Sequence, residues 1–310
     1  MQSDIQKNNV LKRVYIWLFN LESEVSHGDM TMDKARLSVF ILMHIACLGV
    51  FFVGYSHFAL LVTLFLYVSR MFFITAFYHR YFSHRSYKVS RPLQLLMAVA
   101  GCMAGQRGPL WWASHHRHHH SHSDTEEDSH SPNHGLLNSH MLWFLRRGNF
   151  PVLYSRVKDW THFPELKILE NIDWFPFTLL GIACYLLGDF FYLNFPQLGT
   201  DGLQLLVWGF FISTVLLYHA TYTINSLSHK FGRRRFNTRD DSRNNWLLAL
   251  ITLGEGWHNN HHRYPHAARQ GFYWWEIDIS YLVLLFMRRL GLINSMQSVP
   301  ASVYLEADRR

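Results

Sequence analysis

Charge is scarce in this chain: aspartate, glutamate, lysine and arginine make up 16% of its 310 residues, against about 25% in an ordinary soluble protein. A uniformly solvated surface is therefore excluded. Cysteine is scarcer still. Cys47, Cys102 and Cys184 lie far apart inside apolar runs with no C-x-x-C pair, so neither a disulfide framework nor a thiolate zinc site can be built, and they read as small buried hydrophobes. There is no internal repeat and no low-complexity tract, and with 49% hydrophobic residues the chain is not disordered. The opening residues MQSDIQKNNV lack the charged start, apolar middle and small-residue cleavage site of a signal peptide. The first membrane span is expected to act as its own signal.

What the chain does have is long apolar runs separated by polar, histidine-packed stretches. Residues 37–54 carry no charged side chain, and at about 1.5 Å per residue they nearly cross a hydrocarbon core about 30 Å thick. A second run reaches residue 78, interrupted only by Arg70, which is expected to lie near the headgroups or snorkel towards them. Residues 174–193 and 203–224 supply a third and a fourth span. Basic residues before span one (Lys7, Lys12, Arg13, Lys34, Arg36), after span two (Arg80, Arg85, Lys88, Arg91) and after span four (Lys230, Arg233, Arg234, Arg235) contrast with loops that carry only Asp201. The positive-inside rule puts both termini in the cytoplasm. The expected layout is an all-α membrane protein: a cytoplasmic segment 1–36 with a surface helix over 10–21, hairpins 37–78 and 174–224, and a helical cap from 79–173 and 225–310. Two stretches too short to span, 93–104 and 281–290, read as interfacial or core helices.

Histidine is the residue in excess, with 21 copies. His27, His44, His57 and His162 stand alone and read as surface or satisfied core groups. The others include three clusters: His79-Arg-Tyr-Phe-Ser-His84, His116-Arg-His-His119-His120 and His258-Asn-Asn-His261-His262. In the second and third, positions i, i+3 and i+4 share one helical face. The i, i+5 pair of the first does not, so the helix is expected to end or bend between its histidines. Eight crowded imidazoles would repel one another if protonated, whereas a metal takes them neutral. Zinc usually accepts four ligands. Eight or more suit two metals of higher coordination number, and imidazole suits iron.

At these residues the chain resembles the membrane-bound fatty acyl desaturases, which carry H-x-x-x-x-H, H-x-x-H-H and H-x-x-H-H boxes in this order between paired membrane helices. The likeness extends to Trp112-Ala113, Asp124-Thr125, Asp128-Ser-His130, Ser139-His140, Asn225-Ser-Leu-Ser-His229, Arg243-Asn-Asn245 and Gly254-Glu-Gly-Trp-His258, over roughly residues 36 to 290. The branch it is most similar to is the short bacterial delta-9 acyl-CoA type. The resemblance implies nine metal ligands, His79, His84, His116, His119, His120, His229, His258, His261 and His262, with Asn225 holding a metal-bound water. It also implies two iron ions, with zinc able to replace them in overproduced protein, and dioxygen as co-substrate. His130, His140, Asp128 and Glu255 are expected to orient ligating imidazoles through their other nitrogen. His115, His118 and His122 are expected on the surface or just behind the ligands.

The implied reaction removes two hydrogens from adjacent methylenes of a saturated acyl chain of sixteen to eighteen carbons, giving a cis double bond at delta-9. Such bonds have no acidity to exploit, so a cofactor must supply the oxidising power, and only an apolar tunnel can select one carbon pair. Tyr218 and Tyr222 are candidates for its lining. Animal acyl-CoA members have Arg-Asp before the first histidine of box two, where this chain has Ser114-His115, so the carrier stays open between CoA, acyl carrier protein and lipid. Arg146, Arg147 and the run Arg233 to Arg235 could meet a phosphorylated carrier or anionic headgroups. Neither tail contains the H-P-G-G of a cytochrome b5-like domain, so a separate ferredoxin, rubredoxin or cytochrome b5-like donor is expected. No nucleic-acid partner is expected, and a bacterial inner membrane is the expected location. Rival readings are a histidine-box hydroxylase or acetylenase and, more remotely, a metal-binding or transport protein. The last would need a pathway of ionisable ligands along its spans, where few lie besides His44 and His219.

Overall fold

The computed structural model describes Phe19 and residues 29–308; the helix expected over 10–21 lies, apart from Phe19, outside the described residues. The first helix, α1 (Lys34–Val53), starts where the Asp33 carboxylate accepts hydrogen bonds from the amides of Ala35 and Arg36 at 3.0 and 3.1 Å, which satisfies donors left orphaned by the first helical turn. It stops at Gly54, whose φ of 63° suits a residue without a Cβ. Ser56 caps α2 (His57–Ser83) by accepting from the Ala59 amide. Helices α3 (Arg91–Cys102), α4 (Pro109–His122) and α5 (Pro164–Asn171) follow, the last two with proline in the first turn, where its missing N–H costs nothing. Next come α6 (Trp174–Asn194) and α7 (Gly202–His229). The chain continues with α8 (Trp246–Ile251), α9 (His258–Arg263), α10 (Ile279–Arg289) and α11 (Ala301–Asp308). A two-stranded antiparallel ribbon pairs Tyr87 with Met296 and Lys88 with Ser295.

Four helices, α1, α2, α6 and α7, are long and apolar enough to cross a membrane. Among the described residues α7 is the hub, packing against α1, α2 and α6. The short apolar stretches expected to be helical are so, as α3 and α10. The α2 and α7 helices run past the apolar stretch read from sequence, and their ends carry His79 and His229 out of it. The core joins Met71, Ile74, Tyr78 and Phe82 of α2 to Met97, Leu110, Leu166, Leu217 and Leu284 of five other helices. The α3 helix crosses α2 at Gly101, where a Cβ would fall inside the Tyr78 ring.

Arg70 departs from expectation. It does not reach for headgroups but is buried, donating to the Thr214 hydroxyl at 2.7 Å, the Ser213 hydroxyl at 2.5 Å and the carbonyls of Leu66 and Met103. Four acceptors at its own depth make snorkelling unnecessary, and the guanidinium ties α2 to α7.

In the first histidine box α2 ends as expected between the two histidines, at Ser83, but it carries on past His79. From Phe73 it widens to i→i+5 hydrogen bonding, and the amide of His84 donates to the carbonyl of His79 at 3.2 Å. In an α-helix a residue five further on points about 140° away. The wider winding makes it a neighbour, which gives the H-x-x-x-x-H spacing its use.

Candidate metal centre

Nine imidazoles converge into two groups, within each of which the candidate ligand nitrogens lie within 4.8 Å of one another: His79, His84, His116, His120 and His261 in one, and His119, His229, His258 and His262 in the other. The H-x-x-H-H boxes are shared crosswise. On α4 the i and i+4 histidines enter the five-membered group and the i+3 histidine the four-membered one; on α9 the assignment is reversed. Each helix thus grips both centres, because i and i+4 diverge by about 40° while i+3 falls on the other side of i.

In the five-membered group the rings present the same nitrogen inwards. The Nε2 atoms of His79 and His261 are 3.0 Å apart, those of His84 and His116 2.8 Å, those of His116 and His120 3.0 Å, and those of His120 and His261 2.9 Å. His229 and His258 meet in the same way at 3.0 Å in the other group. A cation about 2.0–2.1 Å from each nitrogen would leave ligands at right angles about 2.9 Å apart and tetrahedral ones about 3.3 Å apart. The spacing observed fits the right-angled arrangement of a metal with five or six ligands, as expected from the imidazole count.

The outward nitrogens fix the tautomers. His119 Nδ1 lies 2.9 Å from Asp128, His229 Nδ1 2.8 Å from Asp124, His262 Nδ1 2.8 Å from Asp240, and His79 Nδ1 contacts Glu255. A proton held between Nδ1 and a carboxylate leaves the lone pair on Nε2 facing inwards. His262 Nε2 is buried there without a hydrogen-bond partner among the described residues, an arrangement that a metal would satisfy.

The electrostatics agree. Burial first, and the neighbouring imidazoles second, hold His84, His116, His120, His258 and His261 well below the ordinary histidine pKa. Burial takes His262 down to about 4 despite Asp240. Burial acts on His119 in the same direction, but Asp128, Asp124 and Asp240 outweigh it and raise its pKa. Burial alone would raise the Asp128 and Asp240 carboxyls; the imidazoles of His119 and His262 instead hold both well below the carboxylate range. Three ionised carboxylates behind four imidazoles make this pocket favour positive charge.

An apolar cavity of about 450 Å³ leads to the centre. Its charged lining residues are Arg36 and Arg107, both over the Phe150 ring, and Asp173, which pairs with Arg107 at 3.4 Å. From there it runs past Phe40, Phe144, Phe177, Tyr218 and Tyr222 to Trp112, His116 and Asn225. A smaller cavity of about 40 Å³ continues from that wall, lined by Met71, Ile74, His79, His119 and His258. Tyr218 and Tyr222 thus line the cavity as expected. Asn225 sits in the wall of both, and its backbone carbonyl is held by the Ser139 hydroxyl at 2.8 Å.

Of the other expected residues, Asp128 and Glu255 contact ligand nitrogens, and His130 stacks on His119 at 4.3 Å. His140 does not touch a ligand. It lies against the Ser226 hydroxyl and the His219 ring, which in turn meets His44, so the two intramembrane histidines satisfy each other within one row. His115 Nε2 donates to the Pro151 carbonyl and His118 Nε2 to the Glu127 carbonyl, while His122 pairs with Glu127. Ser114 is buried and bonded to Trp111 and Leu153. Arg235 is tied to Glu276 and Asn260, and Arg234 to Asp241. Asp240 was not anticipated, and Asp124 was noted only as part of a motif. Sequence could have pointed to both only through their acidic character, since they reach their histidines from 22 and 105 residues away.

A family model described as fatty acid desaturase matches residues 55–279. The chain is 37% identical over 267 residues to a delta-9 acyl-lipid desaturase 1 of Arabidopsis thaliana, covering 85% of this chain and 82% of that one. It is 35% identical to an acyl-CoA 5-desaturase of Anemone leveillei, covering 84% and 78%, and 34% identical to an sn-1 stearoyl-lipid 9-desaturase of Anabaena variabilis, covering 83% and 91%.

Proposed function

The chain belongs to the fatty acid desaturase family and is an oxidoreductase that desaturates fatty acids; from that premise we propose that it inserts a cis double bond at delta-9 of a saturated chain of sixteen to eighteen carbons. The observation that carries this reading is the shared wall: Trp112, His116 and Asn225 close the apolar cavity and open on the imidazole clusters. Two irons held by His79, His84, His116, His120 and His261 and by His119, His229, His258 and His262 would supply, with dioxygen and two electrons, the power to break unactivated carbon–hydrogen bonds.

The chain's own residues do the selecting. Apolar walls gain from stripping water off the acyl chain, roughly 0.8 kcal/mol per methylene, but hold every methylene alike. Selection of one carbon pair comes from length between the charged mouth at Arg36, Arg107 and Asp173 and the wall at Trp112. Trp112 lies nearly flat on His116, ring centroids 5.0 Å apart, so one face of the indole meets substrate and the other fixes a ligand. Asn225 is placed to hold a water by hydrogen bond beside the four-imidazole group. The carboxylates of Asp124, Asp128, Asp240 and Glu255 keep the ligands in the tautomer that turns Nε2 inwards.

The likeness to the acyl-CoA branch points to CoA as the carrier, which the Ser114-His115 departure left open. A specific observation favours a glycerolipid instead: Ser114 and His115 occupy the position of the Arg-Asp pair and are both consumed by internal hydrogen bonds, and relatives bear acyl-lipid names. Both termini and the metal centre are assigned to the cytoplasmic side by the basic flanks, where a soluble ferredoxin, rubredoxin or cytochrome b5-like donor would dock. The test is the fatty-acid profile of cells expressing the chain beside the His261→Ala variant. New cis delta-9 monoenes with the first and none with the second support the reading; hydroxy or acetylenic acids would replace it. Purified iron-loaded protein in nanodiscs, given dioxygen, a reduced ferredoxin and either stearoyl-CoA or a stearoyl phospholipid, decides the carrier.

A further inference from the structure

Part of the cap is built for lipid, an inference that goes beyond the reading above and does not rest on it. The α2 helix begins at His57, so Tyr67 lies about 15 Å along it at about 1.5 Å per residue, half the depth of a hydrocarbon core about 30 Å thick. At that level the Tyr67 hydroxyl donates to the carbonyl of Ile251 at 2.6 Å, the last residue of α8. Two turns further along, Thr75 meets the Ser280 hydroxyl in the first turn of α10, also at 2.6 Å. A segment read from sequence as part of a cytoplasmic cap therefore descends beside α2 to the level of its lipid-facing Leu64 and Phe65.

The backbone at the tip is satisfied as a lipid environment demands. The carbonyls of Leu248, Ala249 and Ile251 accept from the Thr252 amide, the Gly254 amide and the Tyr67 hydroxyl, and the Leu253 carbonyl accepts from the Ser280 amide. The turn back is tight, with positive φ at Leu253 (55°) and Gly254 (126°). Outwards the same segment is apolar. Trp246 is 69% exposed, Phe286 58% and Trp274 84%, with Leu247, Leu250, Ile277 and Leu282 beside them, while the inner face of α10 packs Leu284 and Met287 into the core. Arg288 and Arg289 close its last turn. Tryptophan at the rim, leucine below and arginine at the end is the pattern of an interfacial element.

We propose that α8, residues 273–277 and α10 are immersed in the lipid leaflet that adjoins the metal centre, α8 as a re-entrant turn and α10 as an in-plane helix. The centre then sits at the membrane surface itself.

The test uses the full-length chain in phosphatidylcholine nanodiscs, with Cys47, Cys102 and Cys184 replaced by alanine and single cysteines placed by Leu250→Cys, Phe286→Cys, Leu64→Cys and Lys158→Cys, each labelled with a polarity-sensitive fluorophore. Lys158 is an exposed charge and Leu64 the lipid-facing reference. Labels at 250 and 286 are expected to match 64, quenched at least twofold by doxyl-labelled lipid and indifferent to iodide, while 158 shows the reverse. Iodide quenching at 250 and 286 equal to that at 158 overturns the proposal, as does shielding that appears only when an electron-donor protein is added. The unsubstituted chain gives an independent check in the same nanodiscs made with diazirine-bearing lipid. Photo-crosslinks on peptides containing 246–250 and 282–286 support immersion, and crosslinks confined to α1, α2, α6 and α7 contradict it.

Discussion

The two imidazole groups are made from the same boxes yet are not equivalent. Among the described residues, five histidines form one group, with Glu255 behind His79; four form the other, with Asp124, Asp128 and Asp240 behind them, and Asn225 lies in a cavity wall to which both groups contribute. One side is crowded with neutral ligands, and the other exchanges a ligand for charge and an amide that can hold water. The difference suggests a division of labour: a filled centre, and a neighbour with room for a small molecule where the acyl cavity ends.

The sharpest way to break this comparison is to remove one ligand from each side. His262→Ala leaves three imidazoles in its group and His120→Ala leaves four, so both should bring desaturation to background, with the larger iron loss in His262→Ala. Metal analysis and product formation on the two proteins check this, and equal iron loss would erase the distinction. A smaller effect is expected from the carboxylates. Asp240→Asn keeps the shape but no longer holds the Nδ1 proton of His262, and should weaken iron binding about 10-fold to 100-fold, the usual cost of losing such a partner. Chelator competition measures it. Asn225→Ala should keep its iron and slow turnover by about 10-fold to 100-fold. If iron is lost with turnover, Asn225 is a ligand or a structural residue.

The mildest probe is pH on the iron-free protein. His262 titrates near 4 in the folded chain against 6.5 unfolded, and His84, His116, His120, His258 and His261 are shifted the same way. Below pH 6.5 the unfolded chain binds more protons than the folded one, so stability must fall as pH drops from about 6.5 towards 4. Thermal melts across that window should move steadily down, and those of the iron-loaded protein at least as steeply, because metal holds the folded imidazoles neutral while the unfolded chain still takes up protons.

How much of this was legible in the sequence depends on what each residue obeys. The spans were legible because hydrocarbon demands some twenty apolar residues, and the histidines that gather into the two groups because three boxes recur in fixed order. The crosswise sharing of the boxes was not, since it depends on how α4 and α9 face each other. Nor was the i→i+5 winding of α2, because hydrophobic pattern records which face is buried and not the pitch. Arg70 was misplaced because its acceptors, Ser213 and Thr214, lie on another helix. Asp124 and Asp240 looked like solvated charges until folding brought them behind His229 and His262.

The account stands on two metals per chain, one in each imidazole group. Purified full-length protein loaded anaerobically with iron, freed of excess and assayed for iron against protein should contain about two irons per chain, falling towards one when His229 is replaced by alanine. A ratio of one in the unsubstituted chain, or one unmoved by the His229→Ala change, would contradict it.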